Sequence, residues 1–387
     1  MSEWREDNLG NILMKKGYIR GPFGSSLRRG EMKDEGIPVY EQKNAIYGSR
    51  DFRFFIDDEK FQELQRFQVK TNDLIISCSG TVGKISIIEE NDPKGIISQA
   101  LLILRPDTKK IIHKFLYYFL SSKVGHQYLT QVSHGSVQVN IAKRADVEKI
   151  PIPLPSLPEQ RAIAGVLSSL DDKIDLLHRQ NETLEALAQT LFRQWFVEEA
   201  EDDWEEKELG EIIDTVSGFV HKREHLSDEG DYLLGMGSII EAYGISREAT
   251  KRASVKNLDT KYLCEVGDIV ISTRDVTQDA KVLGFPGIIP SFYTDKKVIV
   301  GSNIYKIVII SSNTPGWFVY ELLRSRRFRR YVINFASGTT VLMLRKSDFL
   351  NFKFNFPKEK FFKEHYLLFE SIHGKLDLNY SSIIQLK

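Results

Sequence analysis

Residues 156–198 read SLPEQRAIAGVLSSLDDKIDLLHRQNETLEALAQTLFRQWFVE, and this stretch decides the architecture. Ser156 and Glu159 have the spacing of a capping box, with Pro158 in the first turn, where its missing N–H costs nothing. Apolar residues then recur at alternating steps of four and three, which is typical of a coiled-coil seam. The seam comprises Ile163, Leu167, Leu170, Ile174, Leu177, Asn181, Leu184, Ala188, Leu191 and Trp195. We therefore predict one long helix, called helix one, of about 60 Å at 1.5 Å per residue.

A second seam with the same period lies in residues 357–387, predicted as helix two. It comprises His365, Phe369, Ile372, Leu376, Asn379, Ile383 and Leu386. Facing residues in an antiparallel pair have a constant sum, so we set the single Asn of each seam against the other. The resulting pairs are Asn181–Asn379, Leu177–Ile383, Leu184–Leu376, Ala188–Ile372, Leu191–Phe369 and Trp195–His365. A buried Asn needs a hydrogen-bond partner, which favours this register over the alternative that Asn181 marks a solvated helix end.

Three apolar positions at the start of helix one have no facing residue in this register. They are Ile163, Leu167 and Leu170. Either the second copy is truncated, or another subunit covers this end. Since an exposed apolar stripe normally marks an interface, we predict that these residues contact a partner protein.

The chain contains two copies of one pattern, about 200 residues apart. The segment 4–10 recurs at 204–210, 73–77 at 268–272, and 146–155 at 348–357. A repeat of this length is a duplicated domain rather than a solenoid unit. A kept framework with divergent interiors suggests one binding task performed on two different targets.

The sequence divides into four blocks. They are a first domain at 1–155, helix one at 156–198, a second domain at 204–356 and helix two at 357–387. Short β-branched runs (73–77, 84–88, 96–104, 298–310) alternate with helical stretches (111–121, 315–335). The pattern predicts two tandem α/β (α+β) domains with pseudo-two-fold symmetry, separated by long helices that pair as an antiparallel coiled coil.

Composition sets further bounds. The 387 residues are 42% apolar, which excludes a disordered chain, and no run of 18 apolar residues occurs. Cys78 and Cys264 match no disulfide or zinc motif, which fits a reducing cytoplasm. The net charge is zero, but residues 198–208 hold eight acids and one Lys, so the rest carries +7. DNA binding is therefore not excluded. Because DNA would repel the acidic stretch, we expect this stretch to be a solvated linker that lies away from any bound DNA.

No catalytic motif is complete. The segment 80–86 resembles a phosphate-binding loop, but the first Gly of that motif would fall at Cys78. His221 and His225 could bind a metal on a helix, yet no further ligand stands at the required spacing. We therefore predict a non-catalytic chain without a metal site.

Basic and amide side chains supply candidates for DNA contact in the first domain. Five cations surround a Gly/Ser-rich turn that suits phosphates, although an ordinary solvated loop fits equally well: Lys15, Lys16, Arg20, Arg28 and Arg29. A tight polar loop carries Ser79, Thr81 and Lys84. Gln138 and Asn140 could read adenine, or serve as capping or turn residues.

The second domain offers different side chains. The region aligned with the polar loop contains Arg274, Gln278 and Lys281. The densest positive cluster comprises Arg324, Arg326, Arg327, Arg329 and Arg330. Because helical spacing spreads these arginines around the surface, we predict that the cluster grips phosphates rather than reads bases.

The segment IPIPLPSLPEQRAI at 150–163, followed by LDDKI at 170–174, resembles the conserved region of specificity subunits of type I restriction-modification enzymes. The run GPFGSSL at 21–27 is similar to one found in many of their recognition domains. The resemblance covers the whole chain, as target-recognition domain, helix, target-recognition domain and helix. The second copy departs from the pattern, since the Pro-Glu-Gln at 158–160 aligns with Lys-Phe-Phe at 360–362 and its helix is shorter.

This resemblance implies a non-catalytic, cytoplasmic subunit of a phage-defence complex. Each recognition domain would read one half of a bipartite, asymmetric site in double-stranded DNA, with the spacer set by the helices. The implied partners are two methyltransferase (M) subunits and, in the full complex, restriction (R) subunits, with no membrane. S-adenosylmethionine, ATP and Mg are implied for those partners, and no cofactor for this chain.

Three alternatives stay open from the sequence. The chain could be a coiled-coil interaction scaffold that does not bind DNA. It could be the specificity subunit of a related methylase or phage-defence system. It could also be a truncated subunit that exchanges domains with a sibling.

Overall fold

The computed structural model describes residues 4–23, 27–131, 141, 144–240, 245–277, 279–293, 295–338 and 340–387. The chain forms two compact units, Met1–Asp171 and Asp172–Lys387. The boundary falls inside helix one, so each unit includes part of this helix.

The first unit contains two sheets and a terminal strand pair. The four-stranded antiparallel sheet has the order Leu13–Arg20, Leu101–Pro106, Leu74–Ser77 and Ile85–Ile87, and the three-stranded sheet has the order Phe55–Ile56, Ile37–Tyr40 and Ile96–Ile97. The terminal pair is Arg5–Asn8 with Pro151–Leu154. The helices are Leu9–Ile12, Gln42–Tyr47, Asp58–Glu63, His113–Ser121, Lys123–Gln131 and Arg144–Val147, with 3-10 turns at Arg29–Glu31 and Gln65–Phe67.

The second unit repeats this plan with additions. One four-stranded sheet has the order Ile213–Ser217, Ile304–Ile309, Ile269–Ser272 and Pro286–Ile288, and the other Lys251–Ala253, Leu226–Leu234, Val298–Val300 and Leu263–Cys264. Two strand pairs join Glu205–Glu208 with Lys353–Phe356 and Arg274–Asp275 with Leu342–Met343. The helices are Gly316–Arg324, Arg326–Phe335 and Lys346–Leu350, with 3-10 turns at Leu209–Glu211, Arg223–His225, Met236–Ser238 and Thr260–Tyr262.

The two units share one topology, which confirms the duplication. In both, the central antiparallel sheet has four strands in equivalent order, and a second sheet contains one parallel pair. The matching register pairs are Val39–Ile96 and Tyr232–Val298 for the parallel pair, and Arg5–Leu154 and Glu205–Phe356 for the terminal pair. The α/β (α+β) prediction is therefore confirmed for each unit.

Two predicted strands and one predicted helix are each divided. The run 96–104 forms two strands because the chain turns at Ser98, whose carbonyl accepts from the Leu101 amide, and passes from one sheet to the other. The run 298–310 divides in the same way at Asn303, which has a left-handed φ of 72°. The predicted helix 315–335 breaks at Ser325, whose hydroxyl caps the following helix by accepting from the Phe328 amide.

Helices one and two pair in the predicted antiparallel register. Helix one runs Leu157–Arg193 and continues as a π turn at Gln194–Glu198, and helix two runs Glu359–Leu386. The Asn379 side-chain amide donates to the Asn181 side-chain oxygen at 2.9 Å, and both residues are buried. At the far end of the pair, the rings of Trp195 and His365 lie 4.1 Å apart. The register deduced from the two asparagines is confirmed.

The seam is also part of the core of the second unit. Ala188, Phe369, Ile372 and Leu376 are buried in one cluster with the domain's own apolar side chains, and Leu184 and Leu191 pack against it. Leu177 and Ile383 are buried near the other end of the seam. Pairing of the helices and folding of the second domain therefore use the same apolar surface.

The start of helix one is not an exposed stripe. Ile163 packs against the core of the first unit, and Leu167 and Leu170 are half-buried rather than exposed. The Tyr118 hydroxyl donates to the Asp171 carboxylate at 2.7 Å and so ties this end of the helix to a domain helix. The three positions have no facing residue in helix two, but Ile163 contacts the core of its own unit instead. Contact of these positions with a partner protein stays a prediction.

Within the described ranges, none of the helices combines the length and hydropathy needed to span a bilayer.

The Asn pair makes a testable contribution to stability. We expect Asn181→Leu alone to lower the free energy of unfolding by about 1–3 kcal/mol, because the buried Asn379 amide loses its acceptor at 2.9 Å and keeps only the long contact of 3.4 Å to the Gln180 side-chain oxygen. The double variant Asn181→Leu, Asn379→Leu should recover most of that loss, since two leucines complete an apolar seam. Urea unfolding of the wild type and of the two variants checks this, and equal losses in the single and double variants would contradict it.

Candidate nucleic-acid interface

Each unit presents one polar loop that is closed by the same backbone hydrogen bonds. In the first unit, the Gly83 amide donates to the Ser77 carbonyl and the Ser77 amide to the Lys84 carbonyl, both at 2.9 Å. In the second, the Gly284 amide donates to the Ser272 carbonyl at 2.7 Å, and the Ser272 amide donates to the carbonyl of the following Phe285 at 3.2 Å. The enclosed residues, 78–82 and 273–283, are called the first loop and the second loop. The backbone hydrogen bonds that close the loop are therefore the same in both units, whereas the loop length and the side chains differ.

The first loop is short and held from below. The Gln42 side-chain amide donates to the Ser79 carbonyl at 2.6 Å and to its hydroxyl at 2.9 Å. Thr81 and the adjoining Lys84 are exposed, whereas Ser79 is half-buried by this clamp. The loop therefore offers one hydroxyl and one ammonium group to a ligand, in a fixed backbone conformation.

Arg20 lies at the base of the first loop and also beside the basic turn, since its guanidinium is 5.8 Å from the centroid of the Phe23 ring. Strand pairing sets both Arg20 and Ile76 opposite Leu102 of the central strand. Burial raises the pKa of the Cys78 thiol to about 12, and the neighbouring Arg20 guanidinium acts in the opposite direction. The half-buried Arg20 is thus placed to support the loop.

The other first-unit candidates are exposed, with two outside the described residues. Lys15, Lys16, Arg28 and Arg29 all project from the surface, with Lys16 at a left-handed φ of 62°. Gln138 and Asn140, and Gln278 of the second loop, lie outside the described residues. Their roles stay predictions.

The second loop is long and internally braced. The buried carboxylate of Asp275 accepts from the Thr277 amide and hydroxyl at 2.7 Å, and from the Val282 and Leu283 amides at 2.7 and 3.2 Å. From outside the loop, the Arg329 guanidinium donates to the carbonyls of Ala280 and Lys281 at 2.8 and 3.2 Å, and also to that of Leu283.

The braces leave two cations of the second loop free to face a ligand. Arg274 and Lys281 are exposed, while the carboxylate of Asp275 points inward. A long loop would otherwise lose its shape, since ordering each residue costs about 1–2 kcal/mol. Asp275 and Arg329 are therefore positioning residues for the second loop.

Asp275 predicts how this loop responds to substitution and pH. Burial raises the pKa of Asp275, but the hydrogen bonds from Thr277, Val282 and Leu283 outweigh burial and hold it below the ordinary value of 3.8. A carboxyl with a lowered pKa stabilises the fold above its unfolded pKa, and the stabilisation is lost as the pH falls through the folded value. We expect Asp275→Asn to cost about 1–3 kcal/mol at pH 7, because an amide nitrogen cannot accept these bonds.

Unfolding curves at pH 7 and near pH 3 would test this, with Asp279→Asn, an exposed residue of the same loop, as the matched control. The difference between wild type and Asp275→Asn should shrink at the lower pH. An equal effect of both substitutions would contradict the bracing role.

The five clustered arginines point in three directions. Arg326, Arg327 and Arg330 are exposed, and Arg329 turns toward the second loop. The Arg324 side chain is only 8% exposed and contacts the Glu185 carboxylate of helix one at 2.6 Å. Arg324 is therefore removed from the predicted phosphate-gripping set, because its charge is committed to an ion pair in the interior.

The Arg324 pair belongs to a buried polar cluster that joins both helices to the second domain. Glu321, fully buried, contacts His373 of helix two at 3.0 Å and accepts from the side-chain amide of Gln189 in helix one. Burial raises the pKa of the Glu185 carboxyl, although the adjacent Arg324 opposes this rise. These contacts give the helices a defined rotation against the domain, which apolar packing alone would specify less strictly.

Breaking the buried pair should be costly, and removing both members should not. We expect Arg324→Met to destabilise the chain by about 3–5 kcal/mol, because it leaves the Glu185 carboxylate buried without a counter-charge. Arg324→Met combined with Glu185→Leu should regain most of that stability. Chemical unfolding measures both, and a double variant no more stable than the single one would contradict this description.

The two copies join helix to domain by different chemistry. In the first, the Trp4 indole donates to Glu159 at 3.2 Å, and the buried Gln160 accepts from the Ile112 amide at 2.9 Å. In the second, aromatic contacts take both places. Their ring separations are 4.9 Å for Trp204–Phe361 and 4.9 Å for Phe318–Phe362. The departure of the second copy from the Pro-Glu-Gln pattern thus replaces a polar joint with an aromatic one.

The acidic stretch is only partly the linker that we expected. Residues Glu205–Glu208 form a strand paired with Lys353–Phe356, and Lys358 contacts the carboxylates of Asp203 and Glu201. The expectation of a wholly solvated linker is wrong, because cations of the second unit neutralise part of the stretch. Among the described residues, no group of three or more potential ligands could hold a metal ion.

A comparison with known families matches both halves of the chain. The sequence profile described as "Type I restriction modification DNA specificity domain" covers residues 8–186 and 201–386. The chain belongs to this family. The two matched segments correspond to the two copies, each including its share of the paired helices.

Individual members of this family are similar to this chain in sequence or in fold. The MjaIX and MjaVIII type I restriction enzyme specificity subunits of Methanocaldococcus jannaschii are 26% and 25% identical over 72% and 92% of this chain, and over 66% and 82% of their own lengths. The crystal structure of a type I restriction-modification S subunit from M. genitalium aligns over 99% of this chain and 92% of its own, with a TM-score of 0.57 and 17% identity. That likeness supports the fold.

Sequence reasoning missed the residues that hold the two loops. Gln42, Asp275 and Arg329 were not singled out for this role, since nothing in their local sequence separates them from other polar residues. The repeat in the sequence does indicate where the two loops lie. Aligned glycines, Gly83 and Gly284, both have positive φ (80° and 64°) and mark where each loop closes.

Proposed function

We propose that this chain is the DNA-recognition subunit of a type I restriction-modification complex and reads a bipartite, asymmetric site, one half-site per domain. The observation that carries the proposal is the pair of equivalent loops with identical closure and different side chains, in a family of DNA-specificity domains. Two domains with the same backbone frame and different contact residues are suited to two half-sites of different sequence.

The exposed groups on the loops have the chemistry of DNA contact. Thr81 and Lys84 offer a hydroxyl and an ammonium group, which bond to base edges or phosphates. Arg274 adds a guanidinium, whose fork matches the O6 and N7 acceptors of guanine in the major groove. We assign Lys15, Lys16, Arg28 and Arg29 to phosphate contact, because exposed cations on a turn carry no base-reading geometry.

In this proposal, the paired helices set the spacer between the half-sites. The Asn181–Asn379 hydrogen bond and the buried Glu185–Arg324 pair restrict sliding and rotation of helix one. A protein that holds two readers at fixed separation selects half-sites at a fixed distance, as dimeric DNA-binding proteins do.

The chemistry of the complex is assigned to partner subunits. Two M subunits would use S-adenosylmethionine to methylate the site, and R subunits would use ATP and Mg to restrict unmodified DNA. The chain itself acts without a cofactor, and its two buried free thiols, Cys78 and Cys264, fit a reducing cytoplasm.

The proposal is tested by mapping methylated adenines in the host genome by long-read sequencing, with and without the gene. We expect loss of one split motif, consisting of two short half-sites around a fixed gap. In parallel, binding of the assembled complex to duplex DNA should weaken steeply with salt, because phosphate contacts release counterions. An unchanged set of motifs with salt-insensitive DNA binding would instead support a protein-interaction scaffold.

A further inference from the structure

The second unit contains an open groove of about 1090 Å³ that the proposed DNA-contacting loops do not use. It runs between the last turns of helix one and the helix Arg326–Phe335. Its apolar lining includes Phe192, Val197, Phe335 and Phe352, and its basic lining includes Arg326, Arg327 and Arg330. The groove thus combines an apolar surface with a positively charged edge.

The apolar part is accessible. The side chains of Val197 and Phe335 are 47% and 46% exposed, whereas Phe192 and Phe352 are buried beneath them. A contiguous apolar surface with a polar rim is typical of a protein-interaction site rather than of an ordinary solvated face.

The positive edge is available for a ligand. Arg326, Arg327 and Arg330 are exposed, and none of them forms an ion pair within the part of the chain that the structure describes. The one acid lining the groove, Glu198, is already 3.2 Å from Arg193. An incoming negative charge would therefore find three uncompensated guanidinium groups.

The combination favours an acidic protein segment over a nucleic-acid backbone. Phosphates require cations and hydrogen-bond donors, and they would leave the exposed Phe335 and Val197 without apolar contact. An amphipathic helix with leucine or aromatic residues on one face and carboxylates beside them satisfies both features. The corresponding helix of the first unit, Lys123–Gln131, has one lysine and one histidine instead of four arginines, so the feature is specific to the second copy.

We propose that this groove is a docking site for an acidic amphipathic helix of a partner protein. Apolar side chains of the segment pack on Phe335 and Val197, and its carboxylates pair with Arg326, Arg327 and Arg330. The proposal rests on the groove alone and is independent of whether the chain reads DNA.

The test uses the full-length chain and a panel of fluorescein-labelled helical peptides, in which Leu or Phe recurs at i, i+3, i+4 and i+7 and Glu occupies the flanking positions. Peptides with Lys in place of Glu serve as probes of charge sign. Fluorescence anisotropy at increasing salt measures binding. We expect acidic members to bind in a salt-sensitive manner and the basic series not to bind.

Variants locate the binding. The triple variant R326Q/R327Q/R330Q and, separately, Phe335→Asp should each weaken the peptide affinity by about tenfold or more. The control K256Q/K296Q/K297Q removes three exposed charges elsewhere in the same unit and should leave affinity unchanged. Unfolding midpoints of all three variants verify that each is folded.

Three results would overturn the proposal. These are no binding by any acidic peptide, equal binding by wild type and the triple variant, or equal weakening by the lysine control. A fourth result would reassign the surface: if the triple variant weakens binding of a random-sequence DNA duplex while the acidic peptides do not bind, the arginines contact phosphates.

Discussion

The antiparallel register of helices one and two is the constraint on which the second half of the molecule depends. One hydrogen bond between two buried asparagines fixes it, because sliding either helix by one seam position would leave both amides unsatisfied. The same register brings Glu185 to Arg324 and Trp195 to His365. Polar contacts therefore specify the arrangement, while the shared apolar core supplies the stabilisation.

The two copies use different side-chain interactions at equivalent positions. Where helix one begins, Gln160 and Glu159 hold the joint by hydrogen bonds, and where helix two begins, Phe361 and Phe362 hold it by aromatic packing. The two loops likewise share the backbone hydrogen bonds that close them, but differ in the side chains between those bonds. The second copy lacks the Pro-Glu-Gln motif, and the tryptophan that faces this position differs accordingly. Trp4 of the first copy is exposed, whereas Trp204 of the second is buried.

Periodicity and repetition predicted the elements that depend on local sequence. The helix seams, their register and the duplicated topology followed from apolar spacing and from one asparagine in each seam. Long-range side-chain choices did not follow. Arg324 and Arg329 share one basic run, yet one turns to Glu185 and the other to the carbonyls of the second loop. Only the tertiary positions of their partners separate these roles, so sequence spacing grouped them as one phosphate-binding cluster.

The central claim is that each domain reads its own half of one DNA site, and methylation mapping with loop variants tests it most directly. Cells would carry the chain unchanged, with Thr81→Ala and Lys84→Ala, or with Arg274→Ala and Lys281→Ala. The account predicts that each loop variant relaxes or weakens one half-site, a different one in each case, and leaves the other half and the gap unchanged. Simultaneous change of both half-sites by either variant would contradict it.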